Sequence, residues 1–331
     1  MRRYIFFAVA VMLSAQLLLS CVPAPQAFEQ SEFIMDTVVT IRAYGKRAPQ
    51  AVQAAFAEMR KIEALASAYI SGSDVWKVNN SPGQMIEVSA DTLAIIQLAQ
   101  QVSEQTDGAF DISVFPLVQL WGIGKKDEYV PTESEVAAVV ASVDFRKIRI
   151  DADKLLVGIP EGGMGIDLGG VAKGYAADRA AAVLAEHGIK HALINAGGNV
   201  VVMGGKPDGS LWRVGIQDPR DPNGYIAVVR MNTGTVVTSG DYERYFIKDG
   251  KRYHHIFDPR TGQPAAAGVI AVSVTAPTSA QADAYSTALF VMGVDKGMKL
   301  VESLPDIEAI FVTEDGEIVV SSDFPDIKLQ R

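Results

Sequence analysis

Apolar residues recur along this chain at two spacings. Between Ala48 and Ile70 they fall at Val52, Phe56, Met59, Ile62 and Leu65, three or four apart, which predicts an amphipathic helix ending near Tyr69, before Ser71-Gly72-Ser73-Asp74. Ser89–Thr106 reads as a second helix with Asp91 near its start, and Thr132–Ser142 as a short one. An alanine-rich helix runs from just past Gly170 to Glu186 and stops at Gly188, and a last one covers Ser279–Met292. Alternation predicts a strand over Phe33–Tyr44, with Met35-Asp36-Thr37 inside it. Two short strands fall within Phe145–Ile159, around Asp151–Asp153. Further strands are predicted at His191–Ile194, Leu211–Ile216, Tyr225–Met231, Thr235–Ser239, Val269–Thr275, Ala309–Val312 and Ile318–Val320, with a hairpin signal at Asp249-Gly250. Strands and helices interleave and hairpins are many. That predicts a mixed α/β (α+β) fold rather than a purely parallel, doubly wound sheet.

Composition narrows the function classes. The chain has 331 residues, 48% hydrophobic and 21% charged, which is globular. A net charge of -9 argues against a nucleic-acid partner, and an anionic cofactor would need a local cation or metal. There is one cysteine, Cys21, so no disulfide forms within the chain. It follows Arg2-Arg3 and the apolar run Tyr4–Leu19, the pattern of a signal peptide. Leu18-Leu19-Ser20 before Cys21 resembles a bacterial lipobox, which implies cleavage there and lipidation of the thiol. The expected organisation is a leader over residues 1–20, a tether over 21–30 and a folded body over 31–331. The mature body is expected to be soluble but anchored to a membrane through Cys21.

The stretch Ile166–Asp178, IDLGGVAKGYAAD, reads as strand, glycine turn and helix, followed by a strand that ends in NAGGN at Asn195–Asn199. Glycine lets the backbone approach a ligand, and the free N–H groups and dipole of a helix start suit phosphate. Asp167 and Lys173 flank the turn. The same pattern also describes a packed crossover with no ligand. Asp283 and Thr287 lie four apart on one helix face, with Ser286 beside them. They are hard oxygen ligands of the kind Mg²⁺ takes, or else residues serving the helix dipole and backbone. His254 and His255 are neighbours on a strand, so at most one faces a site. HExxH, Walker A and GxGxxG patterns are absent, and Ser239-Gly240 lacks a nucleophile-elbow context.

Eight ordered blocks together resemble the ApbE family of FAD:protein FMN transferases: MDT at Met35, AYISGSD at Ala68, TDGAFD at Thr106, IDLGGVAKGYAAD at Ile166, INAGGN at Ile194, TSGDYER at Thr238, YHHIFDPRTG at Tyr253 and APTSAQADAYSTALFVMG at Ala276. The resemblance implies a mixed α/β fold related to the T-fold, two intimate lobes and FAD in the cleft between them. It implies FAD contacts at Met35, Tyr69, Ala109, Phe110, Asp111, Asp167, Lys173, His255 and Ile256. Mg²⁺ ligands would be Asp283, Thr287 and the carbonyl of Gly170. His255 is the expected general base and Asp283 the catalytic metal ligand. The implied reaction moves FMN from FAD to a Thr or Ser hydroxyl of a target protein and releases AMP. A Mg-dependent FAD pyrophosphatase and a non-catalytic FAD-binding lipoprotein are the alternatives. The implied acceptors are subunits of membrane redox complexes of the NADH:quinone reductase and Rnf type, which suits an enzyme on the periplasmic side of the cell envelope. The chain departs from the family pattern at Asn199, where Asp is common, and at Asp36, where Gly is common.

Overall fold

The alternation at the start of the body folds back on itself. In a computed structural model of the chain, which describes residues 26–124 and 128–330, Ala27–Ile34 (β1) and Thr37–Tyr44 (β2) form an antiparallel hairpin. One strand was expected through Phe33–Tyr44. The chain instead turns at Met35 and Asp36, both left-handed with φ of 55° and 58°. No Asn-Gly or Asp-Gly pair announces this turn. It is held from outside: the Met35 N–H donates to Glu63 Oε1 at 2.7 Å, and Arg244 Nη2 to the Asp36 carbonyl at 3.4 Å. Its φ explains why glycine suits the place of Asp36.

The start of the body also moves. Residues 27–30, expected as tether, pair with residues 41–44, so among the described residues strand pairing starts at Ala27, ahead of the expected start at Ser31. This is an edge strand, rich in polar side chains that engage β2 and the first helix through the pairs Glu29–Arg42 and Glu32–Arg60, and such a strand reads as a spacer. The expected leader and Cys21 lie outside the described residues.

The chain continues through helices α1 (Ala48–Ala66) and α2 (Asp74–Asn79), strand β3 (Ile86–Glu87), helices α3 (Ala90–Gln105), α4 (Phe115–Trp121) and α5 (Glu133–Val140), and strands β4 (Arg149–Asp151) and β5 (Leu156–Gly158). Next come α6 (Ala172–Glu186), β6 (Ala192–Ala196), β7 (Asn199–Met203), β8 (Trp212–Gln217), β9 (Tyr225–Met231), β10 (Gly234–Gly240), β11 (Tyr245–Lys248), β12 (Lys251–His254) and β13 (Val269–Thr275). Helix α7 (Ser279–Val301) and strands β14 (Glu308–Thr313), β15 (Ile318–Val320) and β16 (Ile327–Leu329) complete it. None of the described helices is long and apolar enough to cross a membrane.

Eight strands make one sheet in the order β1-β2-β6-β7-β10-β13-β14-β15, antiparallel at every step. Alternation gives it two apolar faces. Val39, Ile41, Ile194, Val237, Val272 and Phe311 meet α1, α6 and α7. Val202, Val236, Ile270 and Ile310 meet Trp212, Val214 and Val229 of the three-stranded sheet β16-β9-β8. A smaller body forms around Leu117, Trp121, Val136, Phe246 and Phe257, from α4, α5 and the β11–β12 hairpin. Trp121 Nε1 locks it by donating to the Gly262 carbonyl at 2.9 Å. The mixed α/β expectation holds. Helix α7 runs past its expected end at Met292, but its helical geometry breaks at Gly293 (φ 76°, ψ 177°), so the break falls where the apolar pattern placed it.

Helices α6 and α7 cross at Gly174. A Cβ there would lie 2.2 Å from the carbonyl oxygen of Ser279 and 2.7 Å from Ala280 Cα. Alanine gains up to about 1 kcal/mol of helix propensity over glycine. The clash is with backbone, which cannot rotate away, and overpacking of this kind costs about 1–3 kcal/mol or more. Gly174→Ala is therefore expected to be net destabilising, read as a lower denaturant midpoint at unchanged slope. A variant as stable as the parent would show that the helices slide apart freely.

Candidate active site at the helix crossing

The segment entering the glycine bend was expected to be a strand, and it is not part of a ladder. A side chain satisfies its backbone instead. The Ile166 N–H donates to Asn79 Oδ1 at 2.7 Å, and Asn79 Nδ2 returns a bond to the Ile166 carbonyl at 2.8 Å. The Asp167 N–H reaches the Ile112 carbonyl at 2.7 Å, and Gly165 makes an isolated parallel bridge to Val114. These contacts join the bend to the TDGAFD segment. Beyond them the Gly169 N–H donates to Asp167 Oδ1 at 2.7 Å. Gly170 is pressed between two elements: a Cβ would lie 3.0 Å from Phe110 Cε2 and 3.6 Å from Thr287 Oγ1. The bare backbone thus comes up against the face of α7.

Asp283 is 3% exposed. Its Oδ2 accepts the Gly174 N–H at 2.9 Å, one of the first-turn amides of α6 that lack a partner in their own helix. Its Oδ1 lies 3.5 Å from Lys173 Nζ, which donates to the Gly169 carbonyl at 3.1 Å. One turn further, Thr287 Oγ1 lies 3.4 Å from Ser239 Oγ. The Ser239 and Ser286 hydroxyls are 2.7 Å apart, and Ser286 donates to the Asp283 carbonyl at 2.9 Å. Gly170, Lys173, Asp283 and Thr287, picked from two distant stretches, therefore converge. Ser239 joins them, although in the sequence it stands out only as a serine before a glycine. Among the described residues no three His, Cys, Asp or Glu side chains form a metal-binding group. The donors present, one carboxylate with hydroxyl and carbonyl oxygens, are of the hard type that fits a small divalent cation.

Two cations, Arg244 and Lys173, lie close enough to His255 to act on it. The His255 N–H donates to the Arg244 carbonyl at 3.1 Å, and His255 Nδ1 lies 3.3 Å from the same oxygen. A carbonyl only accepts, so Nδ1 carries the proton and the Nε2 lone pair is left for another partner. Burial, then the Arg244 charge, push the His255 pKa down to about 3; the Lys173 charge acts in the same direction. Burial first, and then the charges of Arg244 and Lys173, keep this expected general base from titrating near neutrality in the ligand-free protein. The unfolded chain takes up this proton near pH 6.5, and the folded one not until about 3. Folding stability on this account falls as pH drops through that window. An NMR titration of the ligand-free protein is expected to show no His255 inflection between pH 5 and 8; one near 6.5 would refute the half-buried, cation-flanked setting. Arg244 went unassigned in the sequence because a lone arginine after GDYE carries no motif.

The other expected FAD contacts divide into two groups. Met35, Tyr69 and Asp167 line the open side. Tyr69 is 47% exposed, its ring edge-on to Phe115 at 5.7 Å. Burial of its hydroxyl end, then the charges of Asp167 and Asp36, push its pKa up to about 12. Ala109, Phe110, Asp111 and Ile256 are buried. Phe110 backs Gly170. Asp111 accepts from Ser113 N–H and Oγ at 2.7 and 2.6 Å and from the Phe145 N–H at 3.0 Å, so its carboxylate holds the loop together. Burial raises its pKa against those bonds. Of the neighbouring histidines, His254 ends β12 and turns inward, with Nε2 3.0 Å from the Ala265 carbonyl, while His255 lies just past the strand, so the expected placement of both on one strand does not hold.

Fold and site define a mixed α/β protein whose helix crossing combines hard oxygen donors with nearby cations suited to a charged dinucleotide. Residues 35–311 match the model of the ApbE family, and the chain belongs to that family. It is 35% identical over 299 residues to the FAD:protein FMN transferase of Klebsiella pneumoniae (strain 342), covering 90% of this chain and 92% of that protein. To the FAD:protein FMN transferase of Treponema pallidum (strain Nichols) it is 34% identical over 319 residues, covering 90% and 88%. The crystal structure of the ApbE protein from Thermotoga maritima matches with a TM-score of 0.85 at 36% identity, covering 90% of this chain and 98% of that one. The flavin transferase ApbE from Vibrio cholerae matches with a TM-score of 0.82 at 28% identity, covering 91% and 98%.

Proposed function

We propose that this protein transfers FMN from FAD to a Ser or Thr hydroxyl of a target protein, with AMP as the other product. The observation that carries this reading is the meeting of Gly170, Asp283 and Thr287 beside Lys173, in a chain whose relatives are FAD:protein FMN transferases. Mg²⁺ held by Asp283, Thr287 and the Gly170 carbonyl would neutralise the diphosphate and stabilise charge growing on the departing phosphate. Lys173 and Arg244 add positive charge on the same side. The acceptor oxygen attacks the FMN-side phosphorus; a new phosphoester bond forms, the P–O bond of the diphosphate breaks, and AMP leaves. The hydroxyl proton passes to His255 Nε2, whose Nδ1–H is fixed on the Arg244 carbonyl. The diphosphate's own negative charge offsets the two cations and raises the basicity of this imidazole when FAD is bound.

Incubation with FAD, Mg²⁺ and a candidate acceptor tests the reaction. Flavin fluorescence that stays with denatured acceptor, together with free AMP, is the expected result. Free FMN with AMP would make the protein a pyrophosphatase, and neither product would make it a carrier. The leader pattern and Cys21 support anchoring on the periplasmic side of the cell envelope, within reach of acceptor subunits of NADH:quinone reductase or Rnf type. A Cys21→Ser variant that still partitions with membranes would remove that anchor from the account.

A further inference from the structure

Helices α6 and α7 exchange carboxylates at their N-terminal ends. Asp283 of α7 accepts the Gly174 N–H of α6 at 2.9 Å. Asp178 of α6 accepts the Ser279 N–H with Oδ1 and the Ala280 N–H with Oδ2, both at 2.9 Å. The arrangement is nearly two-fold. Gly174 and Asp178 are one turn apart on one helix, Ser279 and Asp283 one turn apart on the other, and each amide finds the other helix's carboxylate. Gly174 lies directly against the Ser279 backbone between them. Among the described residues, Asp178 is the group that ties α7 to α6 with both carboxylate oxygens.

We propose that Asp178 is a positioning residue for the cation site, fixing the register of α7 against α6 and so the spacing of Asp283 and Thr287 from the Gly170 carbonyl. The proposal rests on the reading that a divalent cation sits there. Two of the three expected ligands ride on α7 and the third on the bend that leads into α6. Their separation is set by how the helices dock, and ligand placement must hold to within about 0.5 Å. Asp283 cannot fix that docking alone, because one of its oxygens faces Lys173 and the expected cation. Asp178 has both oxygens on backbone N–H groups and leaves Asp283 Oδ1 available.

A merely structural role for Asp178 would be that of a cap on α7, and this helix has a separate cap for comparison. Thr278 Oγ1 accepts the Gln281 N–H at 3.2 Å and lies 3.1 Å from Gln281 Oε1, both within its own turn. Thr278→Val should weaken the same helix end without altering its docking.

The test is Mn²⁺ binding to the full protein with FAD present and no acceptor, read from the electron paramagnetic resonance signal of free Mn²⁺, with thermal midpoints measured in parallel. Asp178→Asn is expected to weaken Mn²⁺ binding by about tenfold or more. Thr278→Val is expected to lower the midpoint and leave Mn²⁺ affinity within about twofold, since its bonds stay local. Parental affinity in Asp178→Asn, or equal weakening in Thr278→Val, overturns the proposal. Should Asp178→Asn fail to fold, Asp178→Glu keeps the charge and both acceptors but lengthens the link. It is expected to weaken Mn²⁺ binding as well, and parental affinity there is equally fatal. Asp283→Asn marks the other failure: if it binds Mn²⁺ as the parent does, the cation reading itself falls, and this proposal with it.

Discussion

Asp283→Asn should leave the fold standing and remove magnesium-supported flavin transfer. The amide keeps an oxygen to accept the Gly174 N–H and nearly the same volume, so the α6–α7 crossing survives. It loses the charge, and with it both the hard anionic ligand and the counter-charge of Lys173. Loss of one such electrostatic element costs about 10²–10³ in rate. The remaining activity should no longer respond to Mg²⁺. Asp283→Ala adds a second injury, because it leaves a buried amide donor without a partner, at about 1–3 kcal/mol. Measuring kcat against Mg²⁺ concentration, alongside urea midpoints, separates the two effects. Full Mg²⁺-stimulated turnover in Asp283→Asn would end the assignment.

Replacing His255 with alanine should lower transfer by about 10²–10⁴-fold, the range for a positioned proton acceptor. FAD affinity should change little, because the proposal gives the diphosphate's counter-charges to Lys173 and Arg244. With Nδ1–H held on the Arg244 carbonyl, Nε2 is the basic nitrogen, and removing the ring removes the base without removing the cations. A parallel fall in affinity and rate would instead make His255 a binding residue.

Much of this site was legible because glycine and helix spacing speak locally. Gly170 had to be bare for the backbone to approach another element, and Asp283 and Thr287 had to share a face. What those elements touch was not local. The sequence suggested a strand before the glycine bend, since apolar residues lead up to Ile166. The structure feeds that backbone from Asn79 and Ile112, contacts no periodicity encodes. The Met35–Asp36 turn was missed for the same reason, as Glu63 and Arg244 hold it from outside. Ser239 and Arg244 lie in the recognised TSGDYER block but carry no pattern of their own. His255 shows the converse case. Its identity suggested a neutral-pH base, and only the three-dimensional neighbourhood reveals that burial and two cations depress its pKa. Asp178 was visible only as the last letter of a motif until its oxygens were found on the opposite helix.

The most direct measurement is a crystal grown with FAD and Mn²⁺, with the ion located by its anomalous signal. The account predicts an ion held by the Asp283 carboxylate, the Thr287 hydroxyl and the Gly170 carbonyl, beside the diphosphate of FAD. An ion bound elsewhere, or a diphosphate lying away from the α6–α7 crossing, would contradict it.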